Sequence, residues 1–187
     1  MNFHGTKELH TNRLILRRIL KDDYKSAYLS YCSRPNVCRL LTWYPHGSEQ
    51  DTKEYYESEM KKSNQLNYYA WVIALKEKPQ NVIGCLSSIM LDIKTSEIEI
   101  GYVLSDDYWH QGIMSEAFAE IINYLFASEG FESIIACYLE ENPHSGGVMR
   151  KCGMKYDYIK TIFYPKLNKD VQMVYMRLNK SNYNIKK

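Results

Sequence analysis

Two glutamates two residues apart, Glu97 and Glu99, lie in an alternating stretch that runs into a glycine-bearing turn: EIEIGYVLSDDYWHQGIMSEA, Glu97 to Ala117. Two carboxylates on one face of a strand repel each other, and partial burial would raise at least one pKa, which suits a general base. An isolated pair of this kind is more often a solvated strand face. The turn that follows changes the weighing. Backbone N–H groups at a strand-to-helix junction are unpaired and carry the positive end of the helix dipole. The run Trp109-His110-Gln111-Gly112-Ile113-Met114-Ser115 can therefore cradle a phosphate or pyrophosphate. Judged alone, with one glycine, it reads as an ordinary helix start. Further on, Glu141-Asn142-Pro143-His144-Ser145 is a second strand end entering a helix, with Asn142 as its cap and Ser145 one turn in. Consecutive strands feeding two such junctions put both helix N-termini on the same edge of the sheet. Together they suggest a phosphate-bearing cofactor laid beside a proton acceptor.

The elements that must position these residues follow from period and punctuation. Leu14–Ile19 is a short apolar run with Arg17 and Arg18 inside it and Arg13 just before it, read as an edge strand. Asp22 or Asp23 caps a helix to about Ser33, and Pro35 follows its end. Leu40–His46 is an aromatic loop, and Ser48 opens a second helix to about Lys62. Ser48 and Asp51 do not make a strict capping box, in which Glu or Gln is expected third. Tyr69–Leu75, Val82–Leu91 and Ser96–Leu104 should form an antiparallel meander. In the last of these, Ile98, Ile100, Tyr102 and Leu104 share one face; Glu97, Glu99, Gly101 and Val103 share the other. Ile113, Ala117, Phe118, Ile121, Ile122 and Leu125 recur at helical spacing, and Gly130 ends that helix. Ser133–Leu139 is a strand, and Pro143 to Gly153 a short helix. Lys155–Tyr164 and Val171–Leu178 form a hairpin. The order predicts one α/β (α+β) domain with a mixed, mostly antiparallel central sheet, a core of about 9–179, and a basic, mobile tail 180–187.

Composition narrows the function. A formal net charge of +2 is too small to argue for nucleic acid or a membrane surface. Five cysteines are scattered without a CxxC pair or zinc-ligand spacing, so they read as reduced, buried thiols and no metal is expected. The first residues carry no apolar leader run and no segment approaches membrane-spanning length, so a cytoplasmic protein is expected. Seventeen tyrosines against five phenylalanines favour half-buried surfaces and polar-lined clefts.

Four blocks in order, TNRLILRRILKDD, RLLTWYPHGSEQD, EIEIGYVLSDDYWHQGIMSEA and ENPHSGGVMRKCGMKY, resemble the GNAT N-acetyltransferases. The resemblance is to the branch typified by the ribosomal-protein N-terminal acetyltransferases RimJ and RimL, and covers about residues 9–178. It implies acetyl-CoA-dependent transfer to an amine. The family's Gln/Arg-x-x-Gly-x-Gly/Ala loop holds the CoA pyrophosphate. Only Gly112 matches the strict pattern, within the YW-x-x-G-x-M/A-[ST]-E-A variant of the branch. His110 stands where glycine is frequent. By resemblance, His110, Gln111, Gly112, Ile113, Met114 and Ser115 form the pyrophosphate loop. Backbone groups near Val103 and Leu104, on a splayed strand, pair with the pantetheine arm. Asn142 and Ser145 match the Asn-x-x-Ser that touches CoA. Gly146-Gly147 depart from the branch, which has larger residues there, so the helix is frayed or its backbone passes close to something.

The implied reaction is direct attack of a neutral amine on the acetyl thioester. Glu99 is the first candidate base, because it precedes the Ile-Gly-Tyr of the family pattern, and Glu97 the second. Ser145 is the candidate donor to the leaving thiolate, and Tyr175 the alternative. Trp43, Tyr44 and His46 are expected at the acceptor pocket, unless they only anchor their loop. The acceptor is a protein N-terminal α-amine or a small amine such as a polyamine or aminoglycoside; the acidic pairs Asp106-Asp107 and Glu140-Glu141 leave the polycation open. A CoA-binding protein without turnover is the rival from another class, and a monomer or homodimer is expected.

Overall fold

The computed structural model describes residues 1–185, so the end of the expected tail lies outside the described residues. Eight strands form one sheet: β1 (Leu9–His10), β2 (Leu14–Arg17), β3 (Ala70–Leu75), β4 (Lys78–Asp92), β5 (Glu97–Leu104), β6 (Ser133–Leu139), β7 (Lys155–Tyr164) and β8 (Lys169–Asn179). Their spatial order is β1-β2-β3-β4-β5-β6-β8-β7, and every neighbouring pair is antiparallel except β5–β6. The mixed, mostly antiparallel sheet is as expected. β2 is not an edge, because the two-residue β1 pairs with its outer side. Five α-helices flank the sheet among the described residues: α1 (Asp23–Ala27), continued by a wider π-type turn to Cys32, α2 (Pro35–Cys38), α3 (Glu49–Lys62), α4 (Ile113–Tyr124) and α5 (Pro143–Lys151). No helix among the described residues is long and apolar enough to cross a membrane.

The period-two reading of β5 decides how the layers assemble. Ile98, Ile100 and Leu104 are buried with α4 and the end of α5, through Phe118, Ile121, Ile122 and Met149. Phe118, Ile121 and Ile122 are fully covered, each worth about 1.5–3 kcal/mol of transfer free energy. Val103 faces the other way and joins Tyr31, Tyr56, Val72 and Val82 beneath α1 and α3. Helices thus cover both faces of the sheet.

Three local features differ from the sequence reading. Asp51 does close a capping box: its backbone N–H donates to Ser48 Oγ at 3.2 Å, and Ser48 N–H donates to Asp51 Oδ2 at 2.9 Å. A carboxylate one methylene shorter than Glu reaches the same donor. The core starts before residue 9. Asn2 N–H donates to Glu129 O (2.7 Å), Ala70 N–H to Thr6 Oγ1 (2.9 Å) and Trp71 Nε1 to Lys7 O (2.7 Å). The fully buried Glu129 carboxylate accepts from His4 N–H, Tyr69 OH and Tyr124 OH. The tail is not all loose, since the Tyr183 ring packs on Phe126 with centroids 5.3 Å apart.

Candidate active site

β5 and β6 pair over three rungs only: Glu97↔Ser133, Ile98↔Ile134 and Glu99↔Ile135. Beyond them β5 stays with β4 as far as Leu104↔Gly84, while β6 stays with β8 as far as Leu139↔Met173. The two strands therefore splay, and a slot opens from Glu99 toward the two helix N-termini. Ser105 N–H donates to Ile83 O at 2.8 Å, which sets the ladder phase. By antiparallel alternation the peptide groups of Val103 point to β4, and those of Tyr102 and Leu104 to the slot. The Leu104 carbonyl accepts from Trp109 Nε1 at 2.9 Å. Of the expected strand pair, Val103 turns its peptide groups toward β4 and Leu104 turns them away; Tyr102 shares the phase of Leu104.

At the first junction Gly112 is the N-cap of α4, with φ 75° and no side-chain cap. A side chain there is strained, and the first N–H groups of the helix face outward uncapped, as a phosphate cradle requires. His110 also adopts a left-handed φ of 60°, which costs a β-carbon residue more than glycine. Ile113 and Met114 bury their side chains, so only their backbones can serve a ligand; Ser115 is half-buried. Gln111 Nε2 donates to Asp107 O at 2.9 Å, bracing the loop. The first-turn carboxylate, Glu116, would oppose an anion, but it is drawn aside. Arg13 Nε binds Glu116 Oε2 at 2.7 Å, and Thr11 Oγ and Arg13 N–H bind Glu116 Oε1. Burial pushes the Glu116 carboxyl up, and these partners more than reverse it, leaving it below its ordinary range.

At the second junction Asn142 Oδ1 accepts from Ser145 N–H at 3.4 Å, with Pro143 at the first helical position. Tyr102 OH donates to Ser145 O (2.8 Å) and lies 3.0 Å from Ser145 Oγ. Burial pushes the Tyr102 phenol well above its usual range, so it stays protonated. Gly146 is explained by close approach, not fraying, since α5 is continuous. A β-carbon there would sit 2.5 Å from Tyr138 Cζ, whereas one on Gly147 meets nothing within 4 Å. His144 meets His110 edge to face at 5.0 Å, joining the two junctions.

The carboxylates occupy opposite ends of the short ladder. Glu97 is bound by Arg177 Nη1, which also donates to Ser133 Oγ (2.7 Å), while Arg177 Nε binds Asp157 (2.7 Å). Glu99 is the last paired residue before the slot. Its Oε1 accepts a weak hydrogen bond from Cys137 Sγ at 3.3 Å. Burial first, then the Glu99 carboxylate, pushes the Cys137 thiol up to about 12, so it is not a nucleophile at neutral pH. Tyr175 lies opposite Cys137 across β6–β8 and stacks on Tyr158 at 4.4 Å. Burial, followed by Cys137 and Glu99, raises its phenol to about 12. Glu99, Cys137 and Tyr175 thus gather on one side of the slot, and Tyr102, Asn142 and Ser145 on the other.

The aromatic loop lies on the Glu99 side. Trp43 packs on the cluster that holds Val103 and Cys85, and Leu40 on the one that holds Cys137 and Tyr175. His46 is an anchor: its Nδ1 is 2.8 Å from Thr52 Oγ1, its N–H donates to Cys32 O, and burial lowers its pKa. Tyr44 is exposed, with Lys166 Nζ 5.4 Å from its ring centre. The acidic residues weighed for a polycation are mostly engaged: Asp106 and Asp107 by Arg34 (2.6 and 2.7 Å), Glu141 by Lys169 (2.7 Å). Sequence reasoning does not single out Tyr102 or Lys166. The first can be suspected from its place on the splayed strand; the second carries no local signal.

A family model described as an acetyltransferase (GNAT) domain matches residues 13–155. The chain is 29% identical over 163 residues to the uncharacterized N-acetyltransferase YnaD of Bacillus subtilis, covering 84% of this chain and 88% of that protein. Its fold is similar to a GNAT-family acetyltransferase from Bacillus anthracis, with TM-score 0.81, 22% identity, and 94% and 99% of the two chains covered. It is likewise similar to spermidine N-acetyltransferase from Vibrio cholerae, solved in complex with CoA and spermine, with TM-score 0.76, 16% identity, and coverage of 92% and 99%.

Proposed function

The chain belongs to the GNAT acetyltransferase family, and from that premise we propose that it transfers the acetyl group of acetyl-CoA to a protein N-terminal α-amine, in the manner of the RimJ/RimL-like branch. The observation that carries the site assignment is the splay: the β5–β6 ladder stops at Glu99, and the slot beyond it leads to two helix N-termini.

Acetyl-CoA supplies an acetyl thioester, and the roles of the chain follow from its geometry. The uncapped start of α4 at Gly112 holds the diphosphate through backbone N–H groups, with His110, Gln111 and Ser115 around it. Slot-facing peptide groups of Tyr102 and Leu104 hold the pantetheine arm, and the Leu104 N–H is their nearest donor to the cradle. Asn142 and Ser145 close the other wall. An α-amine has a pKa near 8, so at neutral pH most of it must lose a proton before attack. Glu99 accepts that proton, directly or through water, as the amine nitrogen bonds to the thioester carbon. Glu97 is the weaker candidate because Arg177 engages its carboxylate. Ser145 Oγ, 3.0 Å from the Tyr102 hydroxyl, turns its proton to sulfur as the C–S bond breaks and is reprotonated from solvent; Tyr175 is the alternative on the opposite wall. The α-amine is favoured over a polycation because Asp106, Asp107 and Glu141 already have cationic partners.

The test is thiol release from acetyl-CoA with two acceptors, a peptide bearing a free N-terminal serine and spermidine. A higher kcat/KM for the peptide is expected. Preference for spermidine would move the protein to the small-amine class. CoA binding with release on neither would identify a silent CoA-binding protein.

A further inference from the structure

Lys166 sits in the turn between β7 and β8, far in sequence from the aromatic loop, yet its ammonium is spent on that loop. Nζ donates to the carbonyls of Cys38, Leu41 (3.0 Å) and Trp43 (2.7 Å). These are all three donors of an ammonium, and all three acceptors are backbone. The same turn makes two further bonds to the same loop: Tyr44 OH donates to Lys166 O at 3.3 Å, and Tyr164 OH to Leu40 O at 3.4 Å. Residues 39–48 form neither helix nor strand, so the carbonyls of Leu41 and Trp43 have no ladder of their own, while Cys38 O, at the end of α2, also accepts from Leu41 N–H at 2.9 Å. The loop bridges two clusters: Trp43 packs on the one that Val103 and Cys85 also pack against, and Leu40 on the one that Cys137 and Tyr175 also pack against.

We infer that Lys166 is a positioning residue: its ammonium latches the loop from Cys38 to Tyr44 down as a roof over the Glu99 side of the slot, and so sets where an acceptor amine enters. Burial lowers the Lys166 pKa, but three converging carbonyl dipoles keep a cation favourable there. The arrangement calls for lysine. A guanidinium is a planar fork and cannot aim one nitrogen at three acceptors around it. The acceptor part of the inference rests on the proposed transfer reaction; the latch itself does not.

The test separates the two. In Lys166→Met the stem is kept and the charge removed. Alkylation of Cys137 by iodoacetamide at one fixed alkaline pH, where a thiolate fraction exists to react, followed by peptide mass, reads the roofed face without any acceptor. Its rate should rise about tenfold, the factor set by losing about 1.4 kcal/mol of charge-assisted hydrogen bonding. Cys152, buried on the opposite face, should label unchanged and so exclude global loosening. Lys166→Arg should restore only part of the protection. Tyr164→Phe, which removes one hydroxyl, should shift Cys137 in the same direction by less, and serves if Lys166→Met folds poorly. With the serine peptide and spermidine as acceptors, KM for the acceptor should rise while KM for acetyl-CoA stays. Unchanged Cys137 labelling would overturn the latch. Faster labelling with an unchanged acceptor KM would overturn its positioning role. Thiol release on neither acceptor by the wild-type protein would count against the transfer reading and the acceptor role built on it, and the labelling result would still judge the latch.

Discussion

Adjacent glycines in α5 offer a paired substitution in which helix propensity is held constant and only the surroundings differ. Replacing a helical glycine by alanine removes backbone freedom from the unfolded chain and gains about 1 kcal/mol. At Gly147 a β-carbon meets nothing within 4 Å, so the gain should be realised whole. For a chain of this size about 1 kcal/mol raises the Tm by roughly 2–4 °C. At Gly146 the same β-carbon lies 2.5, 2.8 and 2.9 Å from Cζ, Cε1 and Cε2 of Tyr138, closer than side chains tolerate. The ring must swing away, and its hydroxyl, 3.5 Å from Arg150 Nη1, goes with it. Overpacking of this kind costs about 1–3 kcal/mol, which cancels or exceeds the propensity gain. Gly147→Ala should therefore melt higher than wild type and Gly146→Ala no higher, a difference of about 1–3 kcal/mol between neighbours. Thermal melts give the stabilities, and calorimetry with CoA reads the second junction, where a shift of α5 off the Tyr138 ring should weaken binding in Gly146→Ala alone. Equal stabilisation by both variants would refute the close-approach account of Gly146.

Glu99→Gln should lower turnover most near neutral pH and recover in part above the amine pKa, where the acceptor deprotonates itself; a pH-independent loss would remove Glu99 as the base. Gly112→Val should weaken CoA by more than about tenfold, as titration calorimetry reads it, and lower the Tm as well, because a left-handed φ costs a β-carbon residue about 1–2 kcal/mol. Ser145→Ala should slow turnover with little change in Tm, whereas Asn142→Ala should lose about 1 kcal/mol of helix capping and CoA affinity together. His46 is held below its ordinary pKa by burial, so its neutral form belongs to the fold. Stability should be full above about pH 6.5 and fall as pH drops through the lowered value, and His46→Asn should flatten that slope in melts from about pH 7.5 to 5.

The parts of the fold legible in the sequence are those in which a residue's neighbours in space are its neighbours in sequence. The β5 alternation, the α4 stripe, the Asn142-Pro143 start of α5 and the glycine at the α4 entry are all of this kind. Asp51 escapes the capping-box pattern because that pattern names residue types, while the bond needs only a carboxylate within reach. What pattern could not show is long-range. Tyr102 meets Ser145 across 43 residues, and Lys166 meets Cys38 across 128. Glu97 and Glu99 look alike in sequence; Arg177, arriving from β8, engages the first, and Cys137 on β6 meets the second. The N-terminal arm gave no periodic signal because the core supplies its partners: Glu129 O, the Ala70 amide and the Trp71 indole.

The three-rung junction between β5 and β6 also has a mechanical meaning. It is a seam between two antiparallel blocks, β1–β5 and β6–β8, each held together by longer ladders with local bulges. The first block is complete in the nascent chain before any of the second has been made, so its strands can zip without waiting. Across the seam the halves are tied by few backbone bonds, and apolar packing on α4 carries most of the load. An extended ligand lying in the slot would act as a surrogate strand, lengthening the seam from both sides. Amide exchange at Tyr102 and Leu104 would then slow with occupancy, and unfolding of the two blocks would become a single event.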